Sequence, residues 1–200
     1  MSFRIEEKLL IDKNQIIDFK NFLLVNSAYQ LFPPRKIQSL YFENFQNEMY
    51  EDSIEGLVPR KKIRVRNYPG DKKIHFNYEV KISSVEGRFK TSKVIDQGKF
   101  DYIKKMGIHD NQYGTCRPTI NVLYDREYYK IKDVRISIDK NIEYYLYTGR
   151  FLGYDQNNIV ELKASIKKNT DDLINNFPFQ RIRFSKYCNG YNKLYNKNHK

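Results

Sequence analysis

The segment from Lys61 to Lys81, KKIRVRNYPGDKKIHFNYEVK, constrains the fold of this chain more than any other. Lys62, Arg64 and Arg66 alternate with Ile63 and Val65. Period-two spacing puts all three cations on one face of a strand. Pro69-Gly70-Asp71 is turn chemistry, so the segment predicts a hairpin. Its return strand, residues 74–82, sets Glu79 and Lys81 on a shared face. A strand face this rich in cations points to a surface that holds a polyanion.

Charge balance agrees. The 200 residues carry 36 Lys+Arg against 24 Asp+Glu, a net charge of +12. Hydrophobic residues make up 40%, too many for a disordered polyelectrolyte, so the chain is expected to fold as a basic globular domain with anionic partners. Seventeen Tyr and thirteen Phe favour a sheet-rich fold. Cys116 and Cys188 lie far apart with no metal-ligand spacing, and both are expected to be buried thiols. No apolar run approaches the roughly 20 residues that span a bilayer. The N-terminal MSFRIEEKLL has acids where a signal peptide would be apolar, so the expected location is the cytoplasm.

Along the chain, residues 3–11 alternate as a first strand, with Arg4, Glu6 and Lys8 on one face. Asp12 is a candidate N-cap for an amphipathic helix over 13–25. Pro33-Pro34 marks a loop, 37–42 a strand, and 50–58 a short irregular segment. A turn at 86–87 opens another basic stretch, followed by a helix over 97–106 stopped by Gly107. Strands are expected at 117–129, 134–139, 143–151 and 159–166, and a short helix at 169–176. The tail from Arg181 is basic and aromatic, and 196–200 is expected to fray.

Glu-x-Lys recurs at Glu6/Lys8, Glu79/Lys81 and Glu161/Lys163, each within an expected strand. With Arg64/Arg66, Tyr124/Arg126, Arg135 and Lys186, these residues either line a solvated outer sheet face or the interior of a barrel. An empty cationic interior would be costly, because like charges repel where solvation is poor. A phosphate chain and a metal ion would neutralise it. Arg suits phosphate through its planar fork and Lys as a compact charge, while carboxylates suit a hard divalent cation.

The ordered set RxExK, SLYF, KIRVR with EVK, YDR, VRISID, VELK and RFSKY resembles the VTC domain. This is the polyphosphate polymerase module of the vacuolar transporter chaperone complex and its bacterial relatives, within the CYTH or triphosphate tunnel metalloenzyme superfamily. The resemblance runs from about residue 3 to 191. It implies an α+β, mostly antiparallel fold: a closed or nearly closed β-barrel tunnel of about eight strands with a few peripheral helices, as a single domain over 1–195. By motif, Arg64, Arg66, Lys81, Arg126 and Arg135 would carry the phosphoryl chemistry. Lys8, Lys62, Tyr124, Lys163, Ser185 and Lys186 would bind phosphate, with Lys90 or Lys93 as a further lysine and Glu161 as ligand to Mn²⁺ or Mg²⁺.

The implied activity is metal-assisted transfer of the terminal phosphoryl group of ATP onto inorganic polyphosphate. Such transfer is mostly positioning and charge neutralisation, and the sequence shows no Walker loop. Where tunnel triphosphatases open with ExExK, this chain has Arg4 in the first Glu position. Fewer acids and more cations favour retaining phosphate over hydrolysing it. Two further readings stay open: a tunnel hydrolase of triphosphate or nucleoside triphosphates, and a non-catalytic polyphosphate-binding module. Nucleic acid is not an expected partner, since no stacking motif accompanies the cations. The larger relatives are attached to membrane subunits, so a membrane-protein partner is expected but no membrane insertion by this chain.

Overall fold

A computed structural model describes residues 4–165 and 176–198. The elements in chain order are β1 (Arg4–Ile11), α1 (Ile16–Val25), β2 (Tyr29–Glu43), α2 (Glu48–Glu55), β3 (Arg60–Asn67), β4 (Phe76–Ser84), β5 (Gly87–Ile95), α3 (Gln97–Met106), β6 (Ile108–Asp110), β7 (Gly114–Ile131), β8 (Val134–Leu146), β9 (Phe151–Tyr154), β10 (Asn158–Ser165) and α4 (Lys186–Asn198). Hydrogen bonding orders the main strands β1-β10-β8-β7-β2-β3-β4-β5, with β6 beside β7 and β9 beside β8. The expected antiparallel, sheet-dominated architecture is therefore present, with eight strands in the main path. No helix among the described residues is long and apolar enough to cross a membrane.

The residues group into two compact units. One is drawn from Met1–Arg35, Tyr124–Ile142 and Tyr154–Phe184, the other from Lys36–Leu123, Glu143–Gly153 and Ser185–Lys200.

In the first unit β1 pairs with β10 and β10 with the start of β8, all antiparallel. Alternation sorts their side chains. Leu9, Ile11, Val134, Ile136, Ile138, Val160, Leu162 and Ala164 are buried together with Phe19 and Leu23 of α1 and with Phe177. Burying each large aliphatic chain contributes about 1.5–3 kcal/mol before entropy is subtracted. The apolar side of this sheet is thus committed to the core, and its alternate residues supply a charged face. The outer edge of β1 is covered by the strap at 180–184, where Leu10 N donates to Gln180 O at 2.8 Å and Ile182 N to Lys8 O at 2.9 Å. Asp12 accepts from the Asn14 and Gln15 amides and organises a turn, so the helix begins at Ile16 and not at 13.

The second unit is built on β3-β4-β5 and the C-terminal part of β2. The expected irregular segment at 50–58 is instead helix α2 as far as Glu55. The Glu43 carboxylate accepts from the Met49 and Tyr50 amides at 3.2 and 2.9 Å, satisfying the helix N-terminus. Gly56 ends α2 in the left-handed conformation at φ 81°. Helix α3 spans the expected 97–106, with Asp96 accepting from Lys99 N. The loop expected at Pro33-Pro34 is strand: β2 runs through both prolines, which are exposed and precede its register with β3, beginning at Gln38. Proline is tolerated where no neighbouring strand needs its missing N–H.

The basic, aromatic tail forms α4. Tyr187 and Tyr191, four apart, share a buried stripe, and Tyr191 stacks on Tyr50 with centroids 4.9 Å apart. Strands expected at 134–139 and 143–151 are one strand over 134–146 followed by the short β9. Both cysteines are free and buried. The helix expected at 169–176 lies, but for Asn176, outside the described residues.

Candidate functional site: two cationic sheet faces

In the second unit, register places Ser39 and Tyr41 of β2, Arg64 and Arg66 of β3 and Glu79 of β4 on one face, with Lys62 opposite Lys81 and Lys81 opposite Lys90. Their bonds are specific. Arg64 Nε donates to Glu79 Oε2 at 2.7 Å, and Arg64 Nη1 donates to the Tyr41 hydroxyl at 3.1 Å. Arg66 Nε donates to Ser39 Oγ at 3.2 Å, and Lys90 Nζ donates to Glu79 Oε1 at 2.5 Å. Both arginines are over nine-tenths buried, which fixes their guanidinium planes. Burial alone would raise the Glu79 pKa. Arg64, Arg66 and Lys90 more than offset this and hold it down to about 2. Arg64, Arg66 and Lys90 thus hold a carboxylate that stays ionised, and Lys62 and Lys81 extend the same face.

The same register decides between two lysines. Lys90 pairs with Lys81 and lies on the cationic face, whereas Lys93 pairs with Tyr78 on the opposite one. Lys93, the expected alternative to Lys90, therefore lies on the face opposite the cations.

At the Lys62 end, Lys62 Nζ donates to Ser185 Oγ at 3.0 Å and sits 5.3 Å from the Tyr187 ring centroid. Ser185 Oγ also accepts from Cys188 N at 3.3 Å, which makes it the N-cap of α4, and Lys186 is the first helical residue. Beside them Glu43 is buried, accepts from the Tyr187 hydroxyl and the amides of Asn44, Met49 and Tyr50, and has its pKa raised by burial.

The first unit carries a second charged face. Glu6 is opposite Lys163, Lys8 opposite Glu161, Glu161 opposite Ser137 and Lys163 opposite Arg135. From β7, Arg126 grips Asp139 bidentately, Nε to Oδ1 at 2.5 Å and Nη2 to Oδ2 at 2.7 Å, with Nη2 3.8 Å from Glu161 Oε2. The Tyr124 ring centroid lies 5.3 Å from the Arg126 guanidinium carbon. Burial would favour neutral Arg126, but Asp139 and the neighbouring groups push its pKa well above the ordinary range. Lys163 Nζ lies 3.2 Å from Glu161 Oε1 and 3.8 Å from Glu6 Oε1. Lys8 Nζ donates to the Phe184 carbonyl, and Arg135 is exposed to solvent.

Among the described residues no group of three or more His, Cys, Asp or Glu side chains is placed to hold a metal ion. Oxygens of Glu6 and Glu161 do converge on a cation, the Lys163 ammonium. That donor set suits a hard divalent ion only if phosphate oxygens and water complete the shell, as Mg²⁺ commonly requires.

Sequence reasoning thus located the cations but left Ser39, Tyr41, Glu43 and Asp139 without roles, and Glu79 with only its place in a Glu-x-Lys pair. Their signal was present in the period-two runs Ser39-Tyr41-Glu43 and Ser137-Asp139, which alternate with buried apolar residues.

The model of the VTC domain family matches residues 3–195. No curated protein matches the sequence. Among solved structures the chain is similar to a putative adenylate cyclase from Bacillus halodurans, at 11% identity and a TM-score of 0.63, covering 92% of this chain and 94% of that one. It is also similar to a putative adenylyl cyclase from Hippeastrum described as having a dominant triphosphatase activity, at 12% identity and TM-score 0.62, covering 96% of each. A protein from Pyrococcus horikoshii OT3 superposes at 14% identity and TM-score 0.59, over 98% of this chain and 99% of that one. These likenesses establish that the chain shares the fold of these proteins.

Proposed function

The chain belongs to the VTC domain family, and on that footing we propose that it is a polyphosphate polymerase. It would transfer the terminal phosphoryl group of ATP to a growing inorganic polyphosphate chain. The observation that carries this reading is the row of five cations on one sheet face, three of them held around Glu79, with buried arginines whose orientation is fixed before any substrate arrives. Preorganised charge of this kind is what phosphoryl transfer requires of a protein.

Arg64 and Arg66 offer planar forks to nonbridging phosphate oxygens. Lys62, Lys81 and Lys90 add compact charges along the same face. Ser185 and Lys186 present the N-terminus of α4, whose amides and dipole favour an anion. In the first unit Arg126, Arg135, Lys8 and Lys163 form a phosphate-binding face of their own, and Tyr124 flanks Arg126 through its ring. Asp139 orients Arg126. The nucleophile is the anionic terminal phosphate of the acceptor, which needs no strong general base. A divalent cation, Mn²⁺ or Mg²⁺, held by Glu161 with Glu6 beside it, would neutralise charge on the transferring phosphoryl group.

Hydrolysis of triphosphate or nucleoside triphosphate is the second reading, favoured by the activity named for the Hippeastrum relative. Incubation of the protein with ATP and Mn²⁺, followed by a gel that resolves polyphosphate, separates the two. A ladder is expected; phosphate release without one would replace polymerisation by hydrolysis. Glu161→Gln should abolish the ladder while leaving tripolyphosphate binding in EDTA largely intact. An unchanged ladder would remove Glu161 from the metal site.

A further inference from the structure

Lys163 is placed unlike the other cations. Its register partner across β1/β10 is Glu6, and its own strand neighbour two positions back is Glu161. Period two aims Glu161 and Lys163 the same way, and the ammonium comes within 3.2 Å of one carboxylate and 3.8 Å of the other. Other charged groups facing this pair are Arg126, 3.8 Å from Glu161 but committed to Asp139 through two bonds, Lys8, opposite Glu161 and bonded to the Phe184 carbonyl, and Arg135, opposite Lys163 on β8 and exposed. The Lys163 side chain is 28% exposed, against 24% for Glu6 and 12% for Glu161, so the ammonium can reach solvent.

We propose that Lys163 is a resident counter-ion that occupies the cation position between Glu6 and Glu161 and excludes a divalent ion until phosphate arrives. This rests on the metal-assisted reading above but not on polymerisation. An ammonium and a divalent ion cannot share so small a space without strong repulsion. The ion therefore enters only when the ammonium swings away, and an incoming phosphate provides both a partner for the displaced ammonium and oxygens to complete the ion's shell. Metal and phosphate then bind cooperatively, each raising the other's affinity by the same factor. Without phosphate the carboxylates remain paired to Lys163.

The test uses the full chain without nucleotide. Mn²⁺ is titrated in and the free ion followed by electron paramagnetic resonance, with and without inorganic phosphate, for the wild type, Lys163→Gln and Lys163→Arg. Lys163→Gln should bind Mn²⁺ about ten-fold or more tightly in the absence of phosphate, because the competing charge is gone. Lys163→Arg should resemble the wild type. Phosphate should tighten Mn²⁺ binding to the wild type and do so much less in Lys163→Gln. Equal Mn²⁺ affinity of Lys163→Gln and the wild type would overturn the proposal. Tight, phosphate-independent binding by the wild type would also overturn it, and that measurement needs no variant to fold. Failure to form polyphosphate, with these Mn²⁺ results intact, would count against the polymerase reading alone.

Discussion

Replacing Glu79 by glutamine removes the carboxylate that Arg64 and Lys90 share, while keeping its shape and one acceptor oxygen. The size of the effect follows from the protonation equilibrium. Burial works against the charged form, yet Arg64, Arg66 and Lys90 hold the Glu79 pKa down to about 2. Each tenfold change in proton affinity is worth about 1.4 kcal/mol, so the ionised carboxylate contributes about 3 kcal/mol to folding at neutral pH. The side chain is 5% exposed, so solvent screens little of this. Because the folded-state pKa is depressed, the contribution is fully present above the ordinary glutamate range. It is lost as pH falls from that range toward about 2. Urea denaturation of the wild type and Glu79→Gln at a series of pH values should show a gap of about 3 kcal/mol at pH 7 that closes on acidification. Taking the difference cancels the other titrating groups. A gap that stays constant between neutral and acid pH would refute the electrostatic reasoning, and no gap at all would mean that the cations do not depend on Glu79.

Two other outcomes test the packing. Gly190→Ala would put a Cβ 2.6 Å from Ile120 Cδ1 and 2.9 Å from Tyr144 Cδ1, so α4 should lose about 1–3 kcal/mol, read as a lower denaturation midpoint. Burial pushes the Cys116 thiol up to about 12, with Glu43 and Asp110 adding to the effect. In native protein at mildly alkaline pH it should stay unmodified by a thiol–disulfide reagent and become reactive in urea, as read by peptide mass spectrometry; ready labelling of the native protein would contradict that burial.

The faces of the strands were legible in the sequence because side-chain direction in a strand has period two and needs no knowledge of the partner. That is why the sequence alone puts Arg64 with Arg66, and Glu161 with Lys163, on a shared face. Helix α3 was legible because Gly107 is a local stop signal, and the structure adds Asp96 as its N-cap. Helix α4 was not, although Tyr187, Tyr191 and Tyr195 repeat every four residues and Ser185 stands at the N-cap. Its cationic, asparagine-rich composition masked the stripe. Helix α2 was missed because its N-terminus is capped by Glu43, which lies upstream on another element.

The sequence alone therefore determined that this chain is a basic, sheet-rich member of the VTC domain family, and which residues share each strand face. Only the tertiary structure decided which anion neutralises which cation: Glu79 for Arg64 and Lys90, Asp139 for Arg126, and Glu6 with Glu161 for Lys163. It also put Lys90 on the cationic face and Lys93 behind it. The reason is register. A shift of one residue between neighbouring strands changes every cross-strand partner and turns every side chain to the other face, and register is set by pairing across the sheet, where no local sequence pattern reaches.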